Sequence, residues 1–423
     1  MRKIVLVLGM HRSATSLTTE LLSSYGLFVG GVDDIFEPDE NNRRGYFENK
    51  HAVRVNDKIL YENGMHWAVI KETVNKLRDK KCISEINEVL SNMLSKAGDT
   101  QTLLLKDPRM CITEPVWKKQ MKALGLEEHI VMVFRHPYEV AKSLEVRDYI
   151  NFTYSLKLWF YNNFSALCSM AECDTPVLVL NHDSYFSSYR EQINKIELFL
   201  NWTGKNHDVD KIIDDTLRHN NIKEIHVNVN SRLKDIVFEL YQYLIGLSLM
   251  KQVVVKKEKI NYFSGLLREI VNTSYLPNDY DMNPKVFWNS FGQEKKIWCL
   301  YQLENQMDLI VSGFGQLREE KFTELSVYGN GTLAEALFPV LEQAGITIIA
   351  VYDKNTNQKC GAAKQDIKVI NIREAGKIEG NLLNTAVNYG TQIKHEFPEK
   401  FTMCRLLDLY DLLYNMLRDN LYS

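Results

Sequence analysis

Five consecutive apolar residues, Ile4-Val5-Leu6-Val7-Leu8, run into Gly9-Met10-His11-Arg12-Ser13-Ala14-Thr15-Ser16 and then into a helical repeat of Leu17, Leu21 and Tyr25. A strand, a small-residue turn and a helix start in that order aim backbone N–H groups and the positive end of a helix dipole at an anion. ATP-binding loops read G-x-x-x-x-G-K-[ST]. Aligned on Gly9, this chain has Ala14 at the second glycine, Thr15 at the lysine and Ser16 at the hydroxyl residue. The cation is Arg12, three residues before the lysine position. A β-carbon at Ala14 strains the turn wherever the backbone there needs positive φ.

Further apolar runs at Thr102–Leu105, Ile130–Phe134 and Val177–Leu180 alternate with amphipathic stretches. That alternation predicts a parallel sheet flanked by helices. Three polar groups then follow strand ends: the loop after Leu8, Lys106-Asp107-Pro108-Arg109, and Arg135-His136-Pro137. In open α/β sheets ligands gather at the carboxyl ends of strands, so the three are expected to converge. Pro137 suits the first turn of a helix, and Ser143 then lies ~9 Å along it. Glu114-Pro115 is read as the opening of another helix, with an acid and a proline in its first turn.

Arg12-Ser13-Ala14-Thr15-Ser16 resembles the 5′-phosphosulfate loop of the sulfotransferases, which runs Lys or Arg, Ser, Gly, Thr, then Thr or Ser. Arg135 with Ser143 eight residues later resembles that family's pair for the donor's 3′-phosphate. Gly45-Tyr46-Phe47-Glu48, the Lys-Asp-Pro-Arg turn, Leu158-Trp159 and Val177 to Asp183 extend the resemblance over residues 1–220. It implies a P-loop-type sheet that binds 3′-phosphoadenosine 5′-phosphosulfate (PAPS) as donor, with PAP as product and no metal. Arg12, Ser13, Ala14, Thr15 and Ser16 would hold the 5′ end, and Arg135 and Ser143 the 3′-phosphate. It implies Glu48 as general base and Lys106 as the cation on the transferring group, with Asp107, His66 and His136 as rivals of Glu48. Arg109 either binds an anionic acceptor or pairs with Asp107 or another acid. The Arg-Lys-Gly segment of the cytosolic branch is missing, and Arg218 is its weak substitute.

The acceptor implied is a hydroxyl on a saccharide, glycolipid or small metabolite. Two other readings compete. One is a P-loop kinase using Mg-ATP, with Asp107 as the magnesium-holding acid; Thr15 in place of lysine argues against it. The other is a catalytically silent nucleotide-binding protein.

A formal charge of −3 gives no basic face for nucleic acid. The seven cysteines form no C-x-x-C pair and read as reduced core residues. The ten histidines form no metal motif. The apolar run after Met1-Arg2-Lys3 is needed as a strand rather than as a leader, and no window approaches the ~20 apolar residues of a membrane span. A cytoplasmic, bacterial-type enzyme is therefore expected, with homo-oligomerisation left open.

Residues 221–320 read as a mainly helical connecting region, broken by the turn cluster Tyr275-Leu276-Pro277-Asn278-Asp279. Its aromatics, among them Tyr262, Phe263, Phe287, Trp288 and Trp298, read as packing groups. From residue 321 a small Rossmann-like α/β domain is expected: strand Leu325–Tyr328, the loop Gly329-Asn330-Gly331-Thr332-Leu333-Ala334, a helix, a second strand, and Asp353, 22 residues past Gly331. A nucleotide or nucleotide sugar is its candidate ligand.

Overall fold

In the computed structural model the described residues are 2–38, 42, 44–63, 65–74, 77, 81–99, 101–148, 150–204, 209–213, 229–272, 292–319, 322–354, 367, 369–386, 393 and 396–421. They form two compact units. The first comprises Met1–Glu62, Trp67–Arg147 and Asn151–Asp281, and the second Asn63–His66, Asp148–Ile150 and Met282–Ser423.

The first unit is built on a parallel sheet of β1 (Arg2–Leu8), β2 (Leu103–Lys106), β3 (Leu126–Phe134) and β4 (Val177–Asn181), in the order β2-β1-β3-β4. Its strands are apolar and buried through their C-terminal halves because both faces are covered there, as parallel sheets require. In the register, Val7 lies beside Lys106, Leu8 beside Met132 and Phe134 beside Asn181, so the loop, Lys106 and Arg135 leave the sheet along one edge. The chain passes from β1 to one side and then crosses to the other for β3, and that reversal opens a crevice at the strand ends.

Helices α1 (Thr15–Ser24), α2 (Lys50–Glu62), α3 (Ile83–Lys96), α4 (Met110–Ala123), α5 (Pro137–Asp148) and α6 (Phe152–Ala171) connect the strands. Pro137 opens α5 as its missing N–H allows. The α4 expectation is corrected: the helix starts at Met110, so Pro115 lies inside it rather than in the first turn. Asp107 causes the earlier start, because its side chain accepts the Arg109 N–H at 3.0 Å and its carbonyl accepts the Met110 N–H at 2.9 Å. Helix α6 is buried on nearly every side.

After the short helices α7 (Ser184–Ser187), α8 (Tyr189–Leu200) and α9 (Val209–Ile212) come α10 (Ser231–Ser248) and α11 (Lys257–Asn272). Both belong to the first unit: α10 packs on β4 and α6, and α11 on α6. Leu233, Ile236, Val237, Leu240 and Leu244 form the buried stripe of α10. The stretch read as one connecting region is thus divided, since α12 (Gly292–Asn305) and α13 (Met307–Glu319) belong to the second unit. Tyr275 to Asp279, Phe287, Trp288, Arg218 and Cys360 lie outside the described residues, as does the side chain of Trp298. Phe263 is buried as expected, whereas Tyr262 is exposed. The six described cysteines are free thiols.

The second unit has a parallel sheet of β5 (Glu324–Tyr328), β6 (Thr347–Asp353), β7 (Val369–Asn371), β8 (Glu379–Asn384) and β9 (Met403–Asp408), ordered β7-β6-β5-β8-β9. Counted from its own first strand this is the doubly wound order 3-2-1-4-5, with α14 (Thr332–Gln343) following the Gly329 loop and α15 (Leu409–Leu421) ending the chain. Asp353, at the end of β6, accepts the Asn330 N–H at 2.7 Å and ties the loop to the neighbouring strand. Among the described residues no helix is long and apolar enough to cross a membrane.

Candidate functional site

The loop after β1 is fixed by close packing at one end and by strain at the other. A β-carbon on Gly9 would lie 2.4 Å from the Val133 carbonyl oxygen, so only glycine lets β1 leave the sheet here. Arg12 and Ala14 both take left-handed backbone, φ 67° and 68°. Ala14 thus holds the conformation for which the resemblance has glycine, with the strain expected of a non-glycine residue there, about 1–2 kcal/mol. Ala14 precedes α1 as its cap, no side chain caps the helix, and no acid lies in its first turn. The first N–H groups of α1 therefore point out of the helix without a side-chain acceptor.

Around this helix end the structure brings together the residues singled out in sequence. Arg12 Nε donates to Ser143 Oγ at 2.7 Å. Arg135 is buried, donates from Nε to Glu139 at 2.8 Å and reaches the Arg12 carbonyl from Nη1 at 3.4 Å. Among the described residues, His11 Nε2, Ser13 Oγ and Arg135 Nη2 are buried and have no hydrogen-bond partner. Leaving a buried polar atom unpaired costs about 1–3 kcal/mol, so each of these three atoms is open to a water or a ligand.

Lys106 lies deeper. It is 2% exposed and donates to Glu48 Oε1 at 2.6 Å, to the Tyr46 carbonyl at 3.1 Å and to Ser16 Oγ at 3.2 Å. Ser16 in turn donates to the Tyr46 carbonyl at 3.3 Å and accepts from Asn42 Nδ2 at 3.2 Å. Its hydroxyl, expected on the donor's 5′ end, is engaged in joining the loop to the Glu48 segment. Glu48 itself is aimed by its neighbours. Phe47 takes positive φ, 54°, and Asn49 caps α2 by accepting the His51 and Ala52 N–H groups at 3.0 and 3.1 Å.

The rivals of Glu48 are otherwise engaged. Asp107 is fully buried and accepts from Asn56 at 2.8 Å and from Arg109 Nη1 at 3.0 Å. Arg109 Nε pairs with Asp57 at 2.6 Å, so Arg109 bridges two acids. His136 accepts the Tyr138 N–H at 3.2 Å, is packed by Phe238 and Tyr241, and is held neutral chiefly by burial. His66, in the second unit, lies 3.2 Å from the Tyr410 hydroxyl.

Glu139, His182 and Asp183 offer ligand atoms within 4.8 Å of one another, the arrangement nearest to a metal centre among the described residues. The Arg135 guanidinium already balances Glu139, so the cluster reads as an ion-pair network. His11 was not singled out in sequence. Its ring leans on Trp67, with centroids 4.4 Å apart, and burial followed by the charges of Arg109, Arg147, Lys106 and Arg12 holds it neutral, well below the usual histidine range.

Fold and site together define a parallel α/β protein whose first strand–loop–helix turn is flanked by the half-buried Arg12 and the buried Lys106 and Arg135. Solved structures similar to the chain include three sulfotransferases. The sulfotransferase domain from the curacin biosynthetic pathway is 14% identical, with 58% of this chain and 98% of that chain covered and a TM-score of 0.37. The sulfotransferase domain of the Synechococcus PCC 7002 olefin synthase is 14% identical, with 66% and 98% covered and a TM-score of 0.32. A sulfotransferase from Mycobacterium tuberculosis H37Rv is 10% identical, with 58% and 77% covered and a TM-score of 0.30. No family model and no curated protein matches the chain.

Proposed function

We propose that the chain is a sulfotransferase that moves a sulfuryl group from PAPS to a hydroxyl of a carbohydrate, glycolipid or small metabolite. The carrying observation is the open N-terminus of α1 ringed by Arg12, Arg135 and buried unpaired polar atoms. Those groups suit a doubly phosphorylated ligand: the loop amides, Arg12 and Ser13 for the 5′ end, Arg135 and Ser143 for the 3′-phosphate. Ser143 accepts from Arg12 and still has its own O–H to donate.

In the transfer, an acceptor oxygen bonds to sulfur as the sulfur–oxygen bond to the 5′-phosphate breaks, and Glu48 takes the hydroxyl proton. The Glu48–Lys106 pair couples the two events. Protonation of Glu48 removes the partner charge of Lys106, and the ammonium is then free to stabilise the oxygens of the transferring group. All these residues lie within 1–220 of the first unit, and a cytoplasmic location belongs to the same reading.

A kinase is disfavoured because the proposed magnesium acid, Asp107, is buried under Asn56 and Arg109. Calorimetry with adenosine 3′,5′-bisphosphate and with Mg-ATP tests the choice. Tight, metal-free binding of the bisphosphate is expected, and a preference for Mg-ATP would overturn sulfuryl transfer.

A further inference from the structure

We propose that His11 is a donor-binding residue whose imidazole takes up a proton as a 3′,5′-bisphosphorylated adenosine enters, so that Nε2–H hydrogen-bonds a phosphate oxygen. The inference rests on the sulfuryl-transfer reading and adds a binding group and a proton to it.

Position is the first support. His11 lies between Met10 and the left-handed Arg12, inside a turn closed by the Ser13 N–H on the Met10 carbonyl at 3.1 Å. It therefore belongs to the short loop that leads into the uncapped start of α1. The ring is held against Trp67 with an interplanar angle of 46°, which limits the directions Nε2 can take. That nitrogen is buried and has no hydrogen-bond partner among the described residues, as is true of Ser13 Oγ two residues on and of Arg135 Nη2.

Charge is the second support. Arg12 from the loop, Lys106 from the end of β2, Arg109 from the turn after it and Arg147 from the end of α5 all act on the ring. Two of these cations hold carboxylates of their own, Lys106 that of Glu48 and Arg109 those of Asp107 and Asp57, and no carboxylate pairs with the ring itself among the described residues. Without a ligand, burial and net positive surroundings exclude a proton from the imidazole. A ligand with two phosphate groups reverses the sign of that field and supplies an acceptor, so the same ring favours the imidazolium. Binding then draws a proton from solvent, and affinity falls as pH rises through the value His11 has in the complex.

The test is calorimetry of the full chain with adenosine 3′,5′-bisphosphate at pH 7.5, in Pipes and in Tris, whose ionisation enthalpies differ. Most ligand phosphate is already dianionic at this pH, with a second pKa of about 6. Phosphate bound among cations can only release protons, so uptake is assigned to the protein. Net uptake is expected for the native chain, with its loss and roughly tenfold weaker binding in His11→Gln. Should that variant misfold, the pH dependence of native affinity carries the test alone: weakening from pH 6.5 to 8.5 supports the inference. Tight binding with equal enthalpies in both buffers, or uptake that persists in His11→Gln, overturns the role of His11 while leaving sulfuryl transfer standing. Absence of bisphosphate binding overturns both.

Discussion

Arg12 Nε donates to Ser143 Oγ at 2.7 Å across 131 residues of chain, which joins the loop after β1 directly to the helix after β3. The two ends expected to hold opposite phosphates of one donor thus share a hydrogen bond. Ser143→Ala should loosen Arg12 as well as remove a phosphate contact. We expect bisphosphate affinity to fall about tenfold or more, with an unfolding midpoint close to native. Titration calorimetry and urea unfolding on the same preparation check both; unchanged affinity would remove Ser143 from the site.

The Glu48–Lys106 pair should separate chemistry from binding. Glu48→Gln keeps an oxygen for Lys106 but cannot take a proton, so turnover should fall ~10²-fold or more while bisphosphate binding persists. Labelled donor and an acceptor found by screening hydroxyl compounds would measure it. Lys106→Ala is expected to be harsher, because it leaves a mostly buried carboxylate unpaired at a cost of about 3–5 kcal/mol.

Ala14→Gly relieves the left-handed strain at φ 68°. The gain is partly offset by the greater freedom of glycine in the unfolded chain, and a net stabilisation of about 0.5–1 kcal/mol is expected. A urea midpoint no higher than native would show that the loop stores no strain at this position.

Asp107→Ala should cost about 3 kcal/mol or more, because Arg109 and Asn56 lose a buried partner. Bisphosphate binding should survive in whatever fraction folds. Selective loss of Mg-ATP binding with normal stability would instead favour phosphoryl transfer.

A pH effect is expected far from the loop. The Glu128 carboxyl is pushed up to about 9, first by burial and then by the neighbouring Glu114 carboxylate. Folded protein therefore holds a proton that the unfolded chain releases above its ordinary carboxylate pKa, so stability falls as pH rises from about 5 towards 9. Glu128→Gln should flatten that slope and stabilise the protein at pH 8 by on the order of 1 kcal/mol. Urea unfolding at pH 6 and 8 reads the difference; an unaltered slope would place the shared proton elsewhere.

Sequence reading located the four strand ends to within a residue, because apolar runs in a two-faced parallel sheet leave little room for error. It lost the starts of β1 and β3, where polar residues continue the strand. Arg2 does so by donating to the Gln101 and Gly98 carbonyls, and Glu128 by staying protonated. It weighed Asp107 as a rival base, a magnesium-holding acid or a partner of Arg109, and gave no sign that its side chain also starts α4. Glu48 and Lys106 were legible separately, but not their ion pair, which joins residues 58 positions apart in the chain. His11 carried no signal of its own, since Lys106, Arg109 and Arg147, distant in sequence, join Arg12 beside its buried nitrogen only in the fold.

The missing side chain at Gly9 has a reach beyond its own turn. With backbone seated against the Val133 carbonyl, the anion loop cannot slide along β3, and Arg135 stands only two residues further on. On the proposed reading, the groups for the two phosphates are thereby held at one fixed separation. A methyl group at Gly9 would have to push that backbone apart, so Gly9→Ala should lower the unfolding midpoint and weaken bisphosphate binding together.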